Sequence, residues 1–190
     1  QILLNPIEPK GKDNRHTALQ LMCIVSQKYA SSVPASLIPD IVMSSLLSIA
    51  IYMDEMKEWL AFNPAKDRGT LAEDFATAIG HWYFEKIASA LGKKRMLSHL
   101  MNITQQFLNN EDWKKRAAAL IGLGVVGDSF RRGRVVSFVD CALSAVNDDH
   151  PRVRHSSCSL LASVFCTFNL NDQPNRLEKV LPTLISLLSD

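Results

Sequence analysis

The chain has 190 residues, of which 47% are hydrophobic, 21% charged and 7% aromatic, which suits either one large domain or a run of small repeating units. That apolar fraction excludes disorder, and no uninterrupted apolar stretch reaches the ~18 residues of a membrane-spanning helix. With 21 Lys plus Arg against 19 Asp plus Glu, the net charge of +2 is too small to demand nucleic acid, and 8 Gly and 8 Pro are few for a barrel or sandwich.

Apolar spacing predicts helices over residues 14–31, 36–53, 70–91, 93–109, 113–129, 134–146, 152–168 and 177–188, and no segment alternates with period two. Leu97, Leu100, Met101, Phe107 and Leu108 share one helical face. So do Val135, Val139, Ala142 and Val146, and again Leu177, Val180, Leu181, Leu184 and Leu188. Cys23, Cys141, Cys158 and Cys166 lie inside these apolar patterns, without a CxxC pair, and read as buried reduced thiols. There is no initiator Met or leader, and apolar runs stop short at both ends, so the chain reads as a piece of a longer one.

The helices repeat. Shifted by 38 positions, Asn110-Glu111-Asp112-Trp113-Lys114-Lys115-Arg116 falls on Asp148-Asp149-His150-Pro151-Arg152-Val153-Arg154, a polar turn followed by a basic helix start. Leu97, Met101 and Leu108 meet Val135, Val139 and Val146 under the same shift. Ile38-Pro39 and Leu181-Pro182 each put a Pro early in an apolar helix, where its missing N–H costs least. A pair of this size cannot bury its apolar stripe alone, so the pairs are expected to stack into an all-α, right-handed superhelix of the HEAT or ARM-like kind, about four helix pairs long. The expected units are a lone second helix in 1–31, repeats at 36–91, 93–130 and 133–168, and a lone first helix at 177–188. The first repeat carries an inserted connection, 53–69, far longer than a turn needs.

Few motifs point to chemistry. Gly122-Leu123-Gly124-Val125-Val126-Gly127 is a literal GxGxxG, with Asp140 downstream, but it lies inside a helix instead of following a strand, so close helix packing explains it better than a dinucleotide. His150, His155 and Cys158 are too few to hold zinc. No nucleophile–base signature or paired-carboxylate cleft is legible, so neither an enzyme nor a cofactor is expected. Lys93-Lys94-Arg95, Lys114-Lys115-Arg116 and Arg131-Arg132-Gly133-Arg134 recur between helices. They suggest either a phosphate-binding stripe or pairing with turns and helix C-termini, and the scarcity of interleaved aromatics favours the second. The stretch from Lys93 to Arg154 holds 11 basic and 6 acidic residues, a local +5. Arg116 and Arg154, at equivalent positions, are placed to pair with turn acids Glu111 or Asp149 of a neighbouring repeat and form a structural ladder. Trp113 beside Asp112, and Trp59 beside Glu58, suit either packing or an aromatic–acid anchor for a basic peptide.

Asn110-Glu111-Asp112-Trp113-Lys114-Lys115-Arg116-Ala117-Ala118-Ala119-Leu120 resembles the "N-P-D-W-x-x-R-x-A-x-L" turn of the importin-β (karyopherin-β) nuclear transport receptors. Asp148-Asp149-His150-Pro151-Arg152-Val153-Arg154-His155-Ser156-Ser157-Cys158 is similar to the "D-P-H-P-R-V-R-Y-A-A-C" one repeat later in the branch that imports ribosomal proteins and histones. Here Ser156 and Ser157 replace two alanines.

The resemblance implies a non-enzymatic middle segment of a HEAT superhelix that shuttles between cytoplasm and nucleus through the nuclear pore. It implies basic cargo on a concave face of second helices, Phe-Gly nucleoporins between first helices, and Ran GTPase mainly outside this segment, with neither membrane nor direct nucleic-acid contact. Asp54, Glu55 and Glu58 are the first candidates for cargo contacts, with Asp112, Asp148 and Asp149 behind them and Trp59 and Trp113 as aromatic covers. A general HEAT scaffold and a nucleic-acid-binding solenoid using the basic clusters are the alternatives.

Overall fold

The computed structural model describes residues 11–53, 75–127, 135–167 and 174–187. All regular structure among them is helical. The helices are α1 (Gly11–Tyr29), α2 (Ile38–Tyr52), α3 (Phe75–Leu91), α4 (Lys93–Leu108), α5 (Trp113–Gly127), α6 (Val135–Ala145), α7 (Pro151–Thr167) and α8 (Pro174–Leu187). Short 3-10 turns at Ala30–Ser32 and Ala35–Leu37 link α1 to α2. No described helix is long and apolar enough to cross a membrane.

Local chemistry sets most boundaries. Pro39 sits in the first turn of α2, and Pro151 opens α7, where a missing N–H removes no intrahelical bond. Between α3 and α4 the chain reverses at Gly92, whose φ of 91° is disfavoured for residues bearing a Cβ. Its N–H donates to Ala88 O at 3.0 Å, which closes α3.

The helices form two layers. α2 packs on α3, α4 on α5 and α6 on α7, while the second helices α1, α3, α5 and α7 stack on one another in chain order. Leu46 and Ile49 of α2, Phe84 of α3, Leu100 of α4, Leu123 of α5, Phe138 of α6 and Leu160 of α7 belong to one continuous core. This is the HEAT solenoid solution, in which each pair's apolar stripe is covered only by its neighbours. Gly80 brings α3 against the α2 backbone, since a Cβ there would lie 2.8 Å from Ile49 Cα.

Three expectations need correction. α8 begins at Pro174, so Pro182 stands inside the helix instead of near its start and removes one interior backbone bond. Leu181 is 51% exposed because the buried side of α8 is carried by Val180 and Leu184. Cys166 is exposed, and Cys141 and Cys158 are only partly covered; of the four free thiols Cys23 alone is buried. The connection at 54–69 and the helix start expected at 70 lie outside the described residues.

Candidate functional site

The turns that open α5 and α7 were singled out by the 38-residue shift, and the structure builds them bond for bond alike. In the first, Asn110 N–H donates to Phe107 O at 3.0 Å, Asp112 N–H to Asn110 Oδ1 at 3.0 Å, and Lys114 N–H to Asp112 Oδ1 at 2.9 Å. In the second, Asp148 N–H donates to Ala145 O at 3.2 Å, His150 N–H to Asp148 Oδ1 at 2.9 Å, and Arg152 N–H to His150 Nδ1 at 3.3 Å. The arginine six residues after the start of each turn motif then locks that turn. Arg116 Nη1 donates to Asn110 O and Glu111 O at 2.9 and 2.8 Å, and Arg154 Nη1 donates to Asp148 O and Asp149 O at 3.0 and 3.2 Å.

With Nη1 held on its own turn, Arg116 presents its other edge to the following one. Nε meets Asp148 Oδ2 at 2.7 Å and Nη2 meets Oδ1 at 2.8 Å, a two-pronged pair whose side chains are 17% and 12% exposed. Burial acts to raise the Asp148 carboxyl, but the Arg116 and His150 hydrogen bonds and the Arg116 charge outweigh it and hold the group below the usual carboxylate range. This corrects one expectation. Glu111 and Asp149 contribute main-chain carbonyls to their turns, and the acid that pairs with Arg116 is Asp148. Asp148, in turn, accepts from Arg116 and from the His150 amide, and its side chain is 12% exposed.

The other candidates divide similarly. Trp113 is half-buried, and its ring stacks on His150 at 3.9 Å between centroids and 5° between planes, so it packs over the start of the next repeat. Burial, with the Arg116 and Arg154 charges, pulls the His150 imidazole below its ordinary value despite Asp148. Asp112 caps α5 while remaining exposed, and Glu111 and Asp149 are exposed. Asp54, Glu55, Glu58 and Trp59 lie outside the described residues.

Members of two basic clusters cap carbonyls. Arg95 Nη2 donates to Val33 O at 2.7 Å, tying α4 to the link after α1. Lys114 Nζ donates to Met53 O at 3.2 Å, where α2 ends and its dipole favours a cation. The third cluster, 131–134, is outside the described residues. Ser157, where the family motif has alanine, donates to Ala142 O at 2.7 Å and so ties α7 to α6.

One site escaped the sequence reading. A groove of about 360 Å³ crosses the second-helix layer, floored by Leu120, Ile121, Gly124 and Val125, with His81, Glu85 and Lys93 on one side and serines of α7 on the other. The GxGxxG segment divides here. A Cβ on Gly122 would lie 2.4 Å from Leu46 Cδ2, so that glycine serves close packing, whereas a Cβ on Gly124 would meet nothing within 4 Å and the residue leaves the groove open. Beside the groove, Trp82 is 50% exposed. The aromatic run His81-Trp82-Tyr83-Phe84 lies on this part of α3. What assigns Trp82 outward is the burial of Gly80, Tyr83, Phe84 and Ile87 on the opposite side. Among the described residues no cluster of three His, Cys, Asp or Glu is placed to hold a metal.

A two-layer stack of antiparallel helix pairs, with duplicated turns joined by an arginine–aspartate pair, defines a HEAT-repeat solenoid. No family model matches the chain. It is 24% identical to importin subunit beta-3 of Saccharomyces cerevisiae over 92% of its own length. It superimposes on the crystal structure of Kap121p bound to RanGTP with a TM-score of 0.78 at 24% identity, covering 97% of this chain and 18% of that one. The karyopherin Kap121p bound to the extreme C-terminus of the protein phosphatase Cdc14p gives 0.77 at 22% identity, with the same coverage. Over most of its length the chain is similar to these importin-β (karyopherin-β) proteins, and it shares their fold. It spans only 16% of the curated relative's length.

Proposed function

We propose that this stretch works within a nuclear import receptor and contributes to the surface that holds basic cargo of the ribosomal-protein or histone type. The observation that carries the reading is the whole-chain likeness to a karyopherin whose structures include complexes with RanGTP and with a phosphatase C-terminus. Ran GTPase and Phe-Gly nucleoporins are the further partners this reading implies, with passage between cytoplasm and nucleus and no chemical reaction on the protein itself. The carbonyl contacts of Arg95, Lys114 and Arg116 support it over nucleic-acid binding, because they engage members of two clusters that a phosphate backbone would need.

Asp54, Glu55 and Glu58, with Trp59, remain the first candidates for cargo contacts. Asp112, Asp148 and Asp149 stand behind them with Trp113 as a second aromatic cover, Asp148 being the one already paired with Arg116. Neutralising Asp54, Glu55 and Glu58 together in the complete protein should weaken a basic localisation peptide about tenfold at low salt, as expected for the loss of three charge pairs, and should flatten its salt dependence. Unchanged affinity in a titration of that variant would remove these three acids from the cargo site.

A further inference from the structure

Trp82 has no role in the core, and its surroundings suit a cation. At 100° per residue, positions 82, 85, 86 and 89 share the outward face of α3, whose His81–Glu85 edge lines the groove over Gly124. Glu85 is exposed one turn from Trp82. Lys86 Nζ already lies 5.6 Å from the centre of the Trp82 ring, within the range at which an indole face attracts an ammonium group. The ring therefore stands turned to receive a cation and, in the free chain, receives its own.

We propose that Trp82 and Glu85 form an anchor for one lysine or arginine side chain of an extended partner segment lying along the Gly124 groove, and that Lys86 fills the anchor until that segment displaces it. The proposal rests on the cargo-binding reading above and adds to it a site and a built-in competitor. The groove is floored by apolar side chains and held open by Gly124, while Ser159 and Ser163 on its far side offer hydroxyls to a peptide main chain. Lys93 on the rim balances the charge of Glu85, so the groove suits a segment with isolated cations and disfavours an unbroken basic run.

A double-mutant cycle in the complete protein tests this, with a short fluorescein-labelled Ala/Ser peptide carrying spaced lysines as the probe and its glutamine counterpart as control. Lys86→Met should tighten the lysine probe about two- to fivefold, the range of an exposed cation–π contact. Trp82→Leu should weaken the probe by a similar factor and abolish the Lys86→Met gain, while Trp82→Phe retains part of both effects and controls for folding. Gly124→Phe should block the groove, and Lys93→Met should tighten the probe in a way that does not depend on Trp82 and disappears at high salt.

A Lys86→Met gain that survives in the Trp82→Leu background would mean that Lys86 acts only as a nearby charge, and the anchor would be wrong. Equal binding of the glutamine control would overturn it too. A lysine probe that binds every variant alike refutes the anchor and leaves the receptor reading standing. One that binds none, the unmutated protein included, refutes both.

Discussion

The turn before α5 and the turn before α7 share every main-chain and capping bond, yet only the second uses its first residue to take an arginine from the preceding repeat. The difference lies in the first residue of the motif. Asn110 and Asp148 each accept the amide two residues ahead through Oδ1, but Asp148 also carries the charge that Arg116 grips. Arg154 is fixed on its own turn just as Arg116 is, and no described carboxylate lies within salt-bridge distance of it. The turn is thus a closed local unit, and coupling between repeats is added by one atom substitution, amide nitrogen to carboxylate oxygen. A repeat can therefore keep its fold while its link to the next is altered.

The largest expected effect breaks that link. Arg116→Met should destabilise the protein by about 2–3 kcal/mol, because it opens the turn and strands the mostly buried Asp148 carboxylate. Arg154→Met, which loses only the two carbonyl bonds, should cost about 1 kcal/mol. Equal losses in chemical denaturation would show that the Asp148 pair adds nothing to the turn.

The helices that follow the turns offer the next contrast. Under the 38-residue shift Gly122 and Gly124 of α5 correspond to Leu160 and Ala162 of α7. Gly122→Ala should destabilise by about 1–3 kcal/mol, since Leu46 and Phe84 must move. Gly124→Ala should stabilise by roughly 0.5–1 kcal/mol through helix propensity alone. Thermal melts that rank these two variants the other way would contradict the packing described.

Asp148→Asn makes the second turn a copy of the first. It keeps the cap on His150 and loses the charge, at about 1 kcal/mol. In that background the cost of Arg116→Met should fall toward that of Arg154→Met, because Arg116 then holds its two turn carbonyls and one neutral amide oxygen in place of a carboxylate. An undiminished difference would place Arg116's excess contribution outside the Asp148 pair.

Much of this was legible in the sequence, for reasons the turns make plain. Helix spans and the two equivalent turns follow from apolar periodicity and from short-range capping, both of which depend on residues close in the chain. Long-range choices were not legible. Asp148, Asp149 and Glu111 are interchangeable acids on paper; only the direction in which the locked Arg116 side chain leaves its turn selects Asp148. Gly122 and Gly124 stand in one motif, and the approach of Leu46, far away in sequence, separates them. Trp82 stands in an aromatic run, and only the burial of Gly80, Tyr83, Phe84 and Ile87 distinguishes it as the outward member.

The smallest effect separates the turns by pH. His150 occupies the place of Asp112 and accepts the Arg152 amide through an unprotonated Nδ1, with Trp113 stacked on its ring and Asp148, Arg116 and Arg154 around it. Its folded-state value lies below the unfolded one, so the folded protein binds fewer protons there, and the associated stability is present above the ordinary histidine range and lost as pH falls through it. Asp148 adds a loss of the same sign at lower pH, since its folded value is also depressed. Unfolding free energies should therefore fall shallowly from about pH 7 to pH 5 and more steeply below. His150→Asp, which copies the first turn, should flatten the upper part and leave the Asp148 part in place. An upper slope unchanged in that variant would assign the proton uptake to another group and leave the Trp113 stack as packing alone.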